Sequence, residues 1–463
     1  MSLFNIMYSI IVCTDEAGGI GKEGNIPWRL PPDMKRFREI TSNVTLEGAM
    51  NAIIMGRKTW ESLPKGALPD RINIVISRSV SKVEGAHVVP SFDDGLLLTK
   101  ELGVEQTFVI GGGQVYDIAI KDPRCKYVYL TKLACSFDCD IYFHFGKEEY
   151  RLVNSDHLLY EGMHYHNQLY VRENHDEMNY LNLLEGVLSE GIEKDDRTGV
   201  GIISCFGKRL EFNLKEGFPL LTSKFVPSKL TIKELLWFIS GSTDNSILKS
   251  QGVHIWDGNT TKEFIDKMGL PYEEDDLGPM YGFQWRYTGA EYVDCKTDYS
   301  GRGVDQIQRV IDTIRKDPCS RRIILSAYNV ADLDKMVLNP CHCMVQFYVD
   351  TVRGELSAQM YQRSADLFLG VPINIASYAL LTHMIAHVCG LGVGKLVICY
   401  GDAHIYKNHL DAVKTQLGRR ELVKPFPELR IKRQLSDIGE FILDDFEIVN
   451  YQREGRIKAP MAV

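Results

Sequence analysis

Near Asn174 the pattern of apolar residues changes, and that change constrains the fold more than any single motif. Before it, short apolar runs alternate with helical spacing. "YSIIVC", "NAIIMG", "INIVIS", "TFVI", "KYVYLTKL" and "HNQLYVREN" read as strands. Between them "DMKRFREIT", opened by Pro32, sets Met34, Phe37 and Ile40 at helical spacing, and "RKTWESL" reads as a short helix. The alternation predicts an α/β unit on one central mixed sheet. After Asn174, "EMNYLNLLEGVLSEG" opens a helix and "KELLWFISG" is a helix apolar almost all round, hence buried. "VDQIQRVIDTIRKDP" lines up Ile307, Val310, Ile311 and Ile314 and stops before Pro318. Strands "RRIILSAYN", "CMVQFYVD" and "ELSAQMYQRS" follow, then a long helix from about Ile373 to Val388. This half predicts an α+β unit. With 463 residues the chain is too long for one typical core. Domains are expected at 1–174 and 175–463, with a very short junction near 173–178 and no Pro/Gly/Ser linker.

Composition narrows the function classes. Hydrophobic residues at 44% and charged residues at 25% suit a soluble globular protein. A net charge of −8 gives no global basic field for nucleic acid. No apolar run is expected to span a membrane. The longest candidate, "INIASYALLTHMIAHVCG", carries Asn374, His383 and His387. The N-terminus has neither a basic start nor a small-residue cleavage site of a signal peptide. Eleven cysteines without a spaced framework read as reduced thiols, which points to the cytoplasm.

Several residues carry chemistry. Asp33 begins a helix with Phe37 one turn later on the same face, and a carboxylate beside a ring suits a flat heterocycle. Taken alone it is an ordinary helix-start acid. "IGGGQVY" is a strand–glycine–helix turn whose backbone N–H groups can approach a phosphate. Arg57, Lys58 and Thr59 open a helix, and Ser77 and Arg78 follow a strand. Singly these read as charges solvated at the surface, and together on one sheet edge they suit a phosphorylated dinucleotide. "NPCHC", residues 339–343, admits four readings: a metal clip, a redox pair, a nucleophile with helpers, or core. A nucleophilic Cys341 would need cations to lower its thiol pKa, and Arg197, Arg321, Arg322 and Arg363 are available. No further Cys/His pair nearby completes a zinc site, so no metal is expected.

"GIGKEGNIPWRLPPDMKRF", "IIMGRKTWESLP", "RINIVISRS", "VIGGGQVY" and "VYLTKL" resemble dihydrofolate reductase in order and spacing over roughly residues 7–173. The resemblance implies reduction of dihydrofolate by NADPH. Asp33 and Thr131 would hold the pterin, and Asp33 would promote its protonation through water. Phe37 and Leu63 would line the folate pocket, and Arg71 would take the α-carboxylate. Ile20 and Trp28 would flank a loop over the nicotinamide. Gly111, Gly112, Gly113, Val115 and Tyr116 would let NADPH lie close, with a cis peptide between the first two glycines. Arg57, Lys58, Thr59, Ser77 and Arg78 would hold its phosphates.

"DRTGVGI", "FPLLTSK", "ELLWFISGST", "LGPMYGFQWR", "DPCSRRIILSAYN", "NPCHC", "YQRSADLFLGVPINIASYALLTHM" and "GDAHIY" resemble thymidylate synthase over roughly residues 177–463. The whole chain resembles the fused reductase–synthases of protists and plants. Methylation of dUMP with 5,10-methylenetetrahydrofolate is implied. Cys341 would attack C6 of the uracil, and Arg363 would also favour its thiolate. Arg197, Arg321, Arg322, Arg363 and Ser364 would hold the phosphate, Arg321 and Arg322 reaching across a homodimer. Asn374 would read the pyrimidine edge, and His404 and Tyr406 the ribose. Glu234 would order waters for proton transfer, and Tyr281 would sit near the departing C5 proton. Trp256, Asn259, Asp366 and Val463 would line the folate site, and His342 a polar network beside the thiol.

The chain departs from the common pattern at Phe225, where an arginine is usual, and at Tyr287, Thr288, Tyr328 and Asn339. A dCMP hydroxymethylase-like transferase is a competing reading, but its cytosine preference goes with Asp where this chain has Asn374. A non-catalytic binding protein is the alternative from another class. Intact Cys341, Asp33 and the four arginines argue against it.

Overall fold

The computed structural model describes residues 6–461 except 47, 65, 123, 145, 147 and 148. The chain forms two compact units, the first ending at Glu173 and the second beginning at Asn174. Each builds its own core.

The first unit is an eight-stranded mixed sheet. In spatial order its strands are His87–Val89, Arg71–Ile76, Asn51–Gly56, Thr107–Gly111, Tyr8–Thr14, Cys125–Leu133, Met163–Arg172 and Tyr150–Tyr160. The first six run parallel, and the last two add antiparallel. "NAIIMG" is a continuous apolar run because helices cover both faces of the sheet. Ile10, Ile54, Ile74 and Val109 pack on one face, and Ile11, Ile53, Met55 and Phe108 on the other. Strand Tyr150–Tyr160 was absent from the expected elements. Its middle residues are exposed, so no apolar alternation marks it.

The second unit is a six-stranded sheet in the order Ile192–Lys194, Ile202–Asn213, Gly392–Tyr406, Glu355–Asp366, His342–Asp350 and Ile324–Ser326. Only Glu355–Asp366 and Gly392–Tyr406 are parallel neighbours. Parallel neighbours need a crossover, and helix Gly370–Val388 supplies it. The helix begins at Gly370, earlier than Ile373. It is long and apolar enough to cross a membrane, contrary to the expectation from sequence, yet 83% of that span is buried inside the unit. It is a core helix. Helix Gln306–Lys316 buries Ile307, Val310, Ile311 and Ile314 as expected. Helix Ser228–Ile239 buries Thr231, Ile232, Glu234, Leu235, Trp237, Phe238 and Ile239. Glu234 thus lies in the second turn of a buried helix, not at an exposed helix start.

Candidate active sites

In the first unit, helix Pro31–Ser42 opens on two prolines whose fixed φ suits a first turn. Asp33 follows in that turn, where the helix dipole favours an acid. Burial pushes the Asp33 carboxyl pKa up. A hydrogen bond with Thr131, the charge of Arg36 and a hydrogen bond with Cys13 oppose it, but burial wins. Cys13 is itself hydrogen-bonded by Trp28, and burial drives its thiol pKa well up. The Trp28 ring lies 5.3 Å from Phe137.

Phe37 and Leu63 pack in one cluster with Met55. Arg71 joins them, its guanidinium 5.8 Å from the Phe37 ring centre. It is buried, with Nη1 donating to Thr41 Oγ1 at 2.6 Å and Nε to the Pro69 carbonyl at 2.9 Å. The three expected folate-pocket residues therefore come together.

The residues expected to hold phosphate follow the C-terminal ends of three neighbouring parallel strands, with Gly56 paired to Ile76 and Met55 to Gly111. This is the ligand-binding edge of an open α/β sheet. The Gly111–Gly112 peptide is cis, as the resemblance implied. A Cβ on Gly112 would lie 3.1 Å from Thr59 Oγ1, and one on Gly111 3.2 Å from the Tyr116 ring. This crowding excludes side chains at Gly111 and Gly112 and leaves the turn as bare backbone. Tyr116 is fixed by donating to the Ile11 carbonyl at 2.8 Å, and Val115 is buried beside it. Arg57 pairs with Glu61 at 2.6 Å on its own helix. Lys58 and Arg78 are exposed, while Ile20 is half-buried. Ser77 Oγ accepts from the Ser79 and Val80 backbone N–H groups at 3.2 and 3.1 Å.

In the second unit, Cys341 immediately precedes strand His342–Asp350. Its N–H donates to Tyr281 Oη at 2.8 Å. Arg363, on the adjacent strand, donates from Nε to the Pro340 carbonyl at 3.0 Å and from Nη2 to the Asn339 carbonyl at 2.6 Å. The same Nη2 stands 4.0 Å from Cys341 Sγ. Burial raises the thiol pKa and outweighs the lowering by Arg363 and Arg197. The expected depressed thiol pKa is therefore corrected: two cations do not offset desolvation. Arg197 is exposed on a loop whose Asp196 accepts from Thr198 and Gly201 backbone N–H groups at 2.8 and 2.7 Å. Arg321 and Arg322 are exposed, and neither is among the groups acting on Cys341. Ser364 is half-buried one residue past Arg363. Cys343, on the strand after Cys341, is also half-buried.

Around the thiol lies a second layer. His342 is pushed down to about 4 by burial, against a hydrogen bond with Asn374. Its ring meets Tyr281 at 5.4 Å and Tyr378 at 5.2 Å. Asn374 is inside the long helix and does not cap it; its Oδ1 accepts from Gln362 Nε2 at 3.1 Å. Glu234 is pushed up to about 7 by burial, against a hydrogen bond from Trp256 Nε1 at 2.9 Å. Trp256 lies 6.2 Å from the Tyr281 ring, and Asn259 ends the short turn Asp257–Asn259 that follows it.

Asp366 accepts from the Phe368 and Leu369 backbone N–H groups at 3.0 and 3.2 Å, with His409 Nδ1 at 3.7 Å. Burial pushes its carboxyl up, but His409 and these N–H groups hold it below the usual range. His404 is buried, paired with Asp402 at 3.1 Å and edge-on to Tyr406 at 5.2 Å. Tyr406 is pushed up to about 12 by burial. Val463 lies outside the described residues.

Sequence reasoning missed Arg36, Gln362, His409 and Lys224. Lys224 is buried, its ammonium 3.7 Å from the Phe368 ring centre, and burial pulls it down to about 7. Arg36 shares a helix face with Asp33 but reads as solvated until Thr131 is placed beside it, and His409 ends the short turn Lys407–His409 after the strand that carries "GDAHIY". Gln362 and Lys224 give no signal beyond adjacency to Arg363 and "TSK".

Among the departures, Thr288 Oγ1 donates to Gln284 Oε1 at 2.8 Å, and the Tyr328 N–H points to the Cys343 carbonyl at 3.3 Å. Tyr287 lies 5.9 Å from the Phe283 ring. The Phe225 ring carries the Arg453 guanidinium at 4.1 Å, so a cation still stands at that loop.

A bare glycine turn at the C-terminal edge of a parallel sheet with a half-buried acid in the same unit, and a thiol facing an arginine on a second sheet, are the features of an enzyme with two sites. Residues 7–172 match the dihydrofolate reductase family and residues 178–463 the thymidylate synthase family. The bifunctional dihydrofolate reductase-thymidylate synthase of Zea mays is 43% identical over 509 residues, covering 98% of this chain and 97% of that protein. Its counterpart in Paramecium tetraurelia is 42% identical over 472 residues, covering 99% of each. The one in Leishmania major is 41% identical over 496 residues, covering 98% of this chain and 95% of that protein. The chain belongs to the bifunctional dihydrofolate reductase–thymidylate synthase family.

Proposed function

We propose that the residues assembled above carry two reactions in series, in domains 1–174 and 175–463. The chain methylates dUMP to dTMP with 5,10-methylenetetrahydrofolate and reduces the resulting dihydrofolate with NADPH. In the reductase domain NADPH supplies hydride to the pterin. Gly111, Gly112, Gly113, Val115, Tyr116 and Ile20 bind it, and Arg57, Lys58, Thr59, Ser77 and Arg78 serve its phosphates. The glycine turn supports this, because a Cβ on Gly111 would meet Tyr116, one on Gly112 Thr59 and one on Gly113 Ile141, so the backbone stays bare. Asp33 and Thr131 orient the pterin, Phe37 and Leu63 enclose it, and Arg71 meets the carboxylate. Burial raises the Asp33 carboxyl pKa, which makes it a readier proton source than an ordinary aspartate.

In the synthase domain Cys341 Sγ bonds to C6 of dUMP, leaving C5 nucleophilic. The observation that carries this reading is the single guanidinium of Arg363, which braces the Asn339–Pro340 backbone and faces Sγ at 4.0 Å. A cation there favours the thiolate once phosphate-bound arginines and substrate complete the site. Glu234, poised near neutrality, moves protons through water. Tyr281 stands against the Cys341 backbone near C5. Arg197, Arg363 and Ser364 take the phosphate, Asn374 the pyrimidine edge, and His404 and Tyr406 the ribose. Trp256, Asn259, Asp366 and Val463 take the folate.

Arg321 and Arg322 serve the site of a partner subunit in a homodimer. Their exposure, apart from the cations acting on Cys341, supports this. Eleven free cysteines support a cytoplasmic location.

The test pairs single and mixed variants. Cys341→Ala is expected to stop tritium release from 5-labelled dUMP and to leave NADPH-dependent reduction intact. Asp33→Asn is expected to do the reverse. Remixing Cys341→Ala subunits with Arg322→Glu subunits should restore part of the synthase activity, because each mixed dimer then holds one whole site. No restoration after verified exchange would refute the shared site, and loss of both activities from one folded single variant would refute the two-site assignment.

A further inference from the structure

Among the described residues Arg36 is the one cation acting on Asp33, and the reading above gives it no task. It lies three residues after Asp33 on helix Pro31–Ser42, so both side chains leave the same face. Its Nη1 donates to Thr131 Oγ1 at 2.9 Å, and its Nη2 reaches the Gln168 carbonyl at 3.5 Å. Thr131 is fully buried. A hydroxyl has one proton and two lone pairs. With a lone pair taken by Arg36, the Thr131 proton must point to an acceptor. Two are present: the Asp33 carboxylate and Asn167 Oδ1 at 3.3 Å.

We propose that Arg36 is a positioning residue for proton supply in the reductase domain: its guanidinium fixes the Thr131 hydroxyl, which in turn fixes and charges the Asp33 carboxylate. The inference rests on Asp33 being the pterin-facing acid. The groups facing Asp33 come from several elements. Arg36 is on its own helix, Cys13 on strand Tyr8–Thr14, and Thr131 on strand Cys125–Leu133. Tyr116 and Tyr165 also feel its charge, from helix Gly113–Lys121 and strand Met163–Arg172. Arg36 is faced in addition by Tyr129 and Asp156. Among these groups Arg36 is the only cation. Without it the half-buried carboxyl keeps its proton to higher pH.

The experiment is the pH dependence of single-turnover NADPH oxidation with dihydrofolate, on the full-length protein. Arg36→Met keeps length and removes charge and donors. Its high-pH limb should move up by roughly half a pH unit or more. Arg36→Lys keeps a charge without the forked donors and should fall between wild type and Arg36→Met. Thr131→Val should shift the limb the same way, and adding Arg36→Met to it should shift it further by less than Arg36→Met does alone, because part of the Arg36 effect passes through that hydroxyl and part is its own charge. NADPH binding, followed by fluorescence, should be unchanged in all three, which reports a folded domain. A profile for Arg36→Met that overlays wild type while NADPH still binds overturns the proposal, as does full additivity with Thr131→Val. Full reduction by Asp33→Asn would instead overturn the role of Asp33 itself.

Discussion

Replacing Glu234 by Gln should make the synthase unit more stable at alkaline pH while stopping its reaction. Glu234 is 7% exposed, and burial lifts its carboxyl from the ordinary 4.5 to about 7. The difference is about 2.5 pH units, and at ~1.4 kcal/mol per unit it amounts to about 3 kcal/mol. The sign follows from proton counting. Between 4.5 and about 7 the folded protein keeps a proton that the unfolded chain has released. Stability therefore falls as pH rises through that window and levels off above it. Gln has the same shape, still accepts from Trp256 Nε1, and does not titrate. The gap between variant and wild type should widen by about 3 kcal/mol from pH 4.5 to pH 8, or about 6 °C in the Tm of the synthase transition. The assay is thermal unfolding across that pH range, with tritium release from 5-labelled dUMP as the activity check. A Tm gap that does not change with pH would show that the carboxyl is not held in a costly environment, and the reasoning would fail.

Other outcomes follow from packing. Leu381 is fully buried in helix Gly370–Val388. Leu381→Ala should cost about 2–5 kcal/mol in denaturant unfolding of the synthase unit and leave NADPH-dependent reduction unaffected. Gly112→Ala puts a Cβ 3.1 Å from Thr59 Oγ1. It should raise the KM for NADPH by roughly tenfold with dTMP formation unchanged, and an unaltered KM would remove Gly112 from the cofactor cradle.

Much of the architecture was legible because apolar periodicity reports burial directly. The stripe of Ile307, Val310, Ile311 and Ile314 and the run "NAIIMG" lie where their spacing put them. Strand Gly392–Tyr406 was not legible, though it is central to its sheet. Gly394 and Gly401 interrupt its pattern. Both glycines are needed for close approach: a Cβ on Gly401 would lie 2.8 Å from the Arg363 carbonyl. The residue that hides the strand also admits the neighbour that carries Arg363. At the sites, identity and order pointed to Cys341, Asp33 and the arginines, but not to their electrostatics. Whether cations or burial win at Cys341 depends on how many arginines actually face it, and that number belongs to the packed structure. Arg36 was invisible for the same reason: on a helix an arginine reads as solvated until a partner such as Thr131 is placed beside it.

The clasp of Arg363 on the Asn339 and Pro340 carbonyls has a thermodynamic consequence. An arginine carries about 2 kcal/mol of rotamer entropy, and here that loss falls on folding, before any nucleotide arrives. Arg197, exposed on its loop, still has that freedom to lose at the moment of binding. The proposed phosphate site therefore joins a rigid post to a movable arm. Stiffening or loosening the arm should change affinity mainly through entropy in calorimetry. Loss of the post should appear as enthalpy, together with displacement of the thiol-bearing segment.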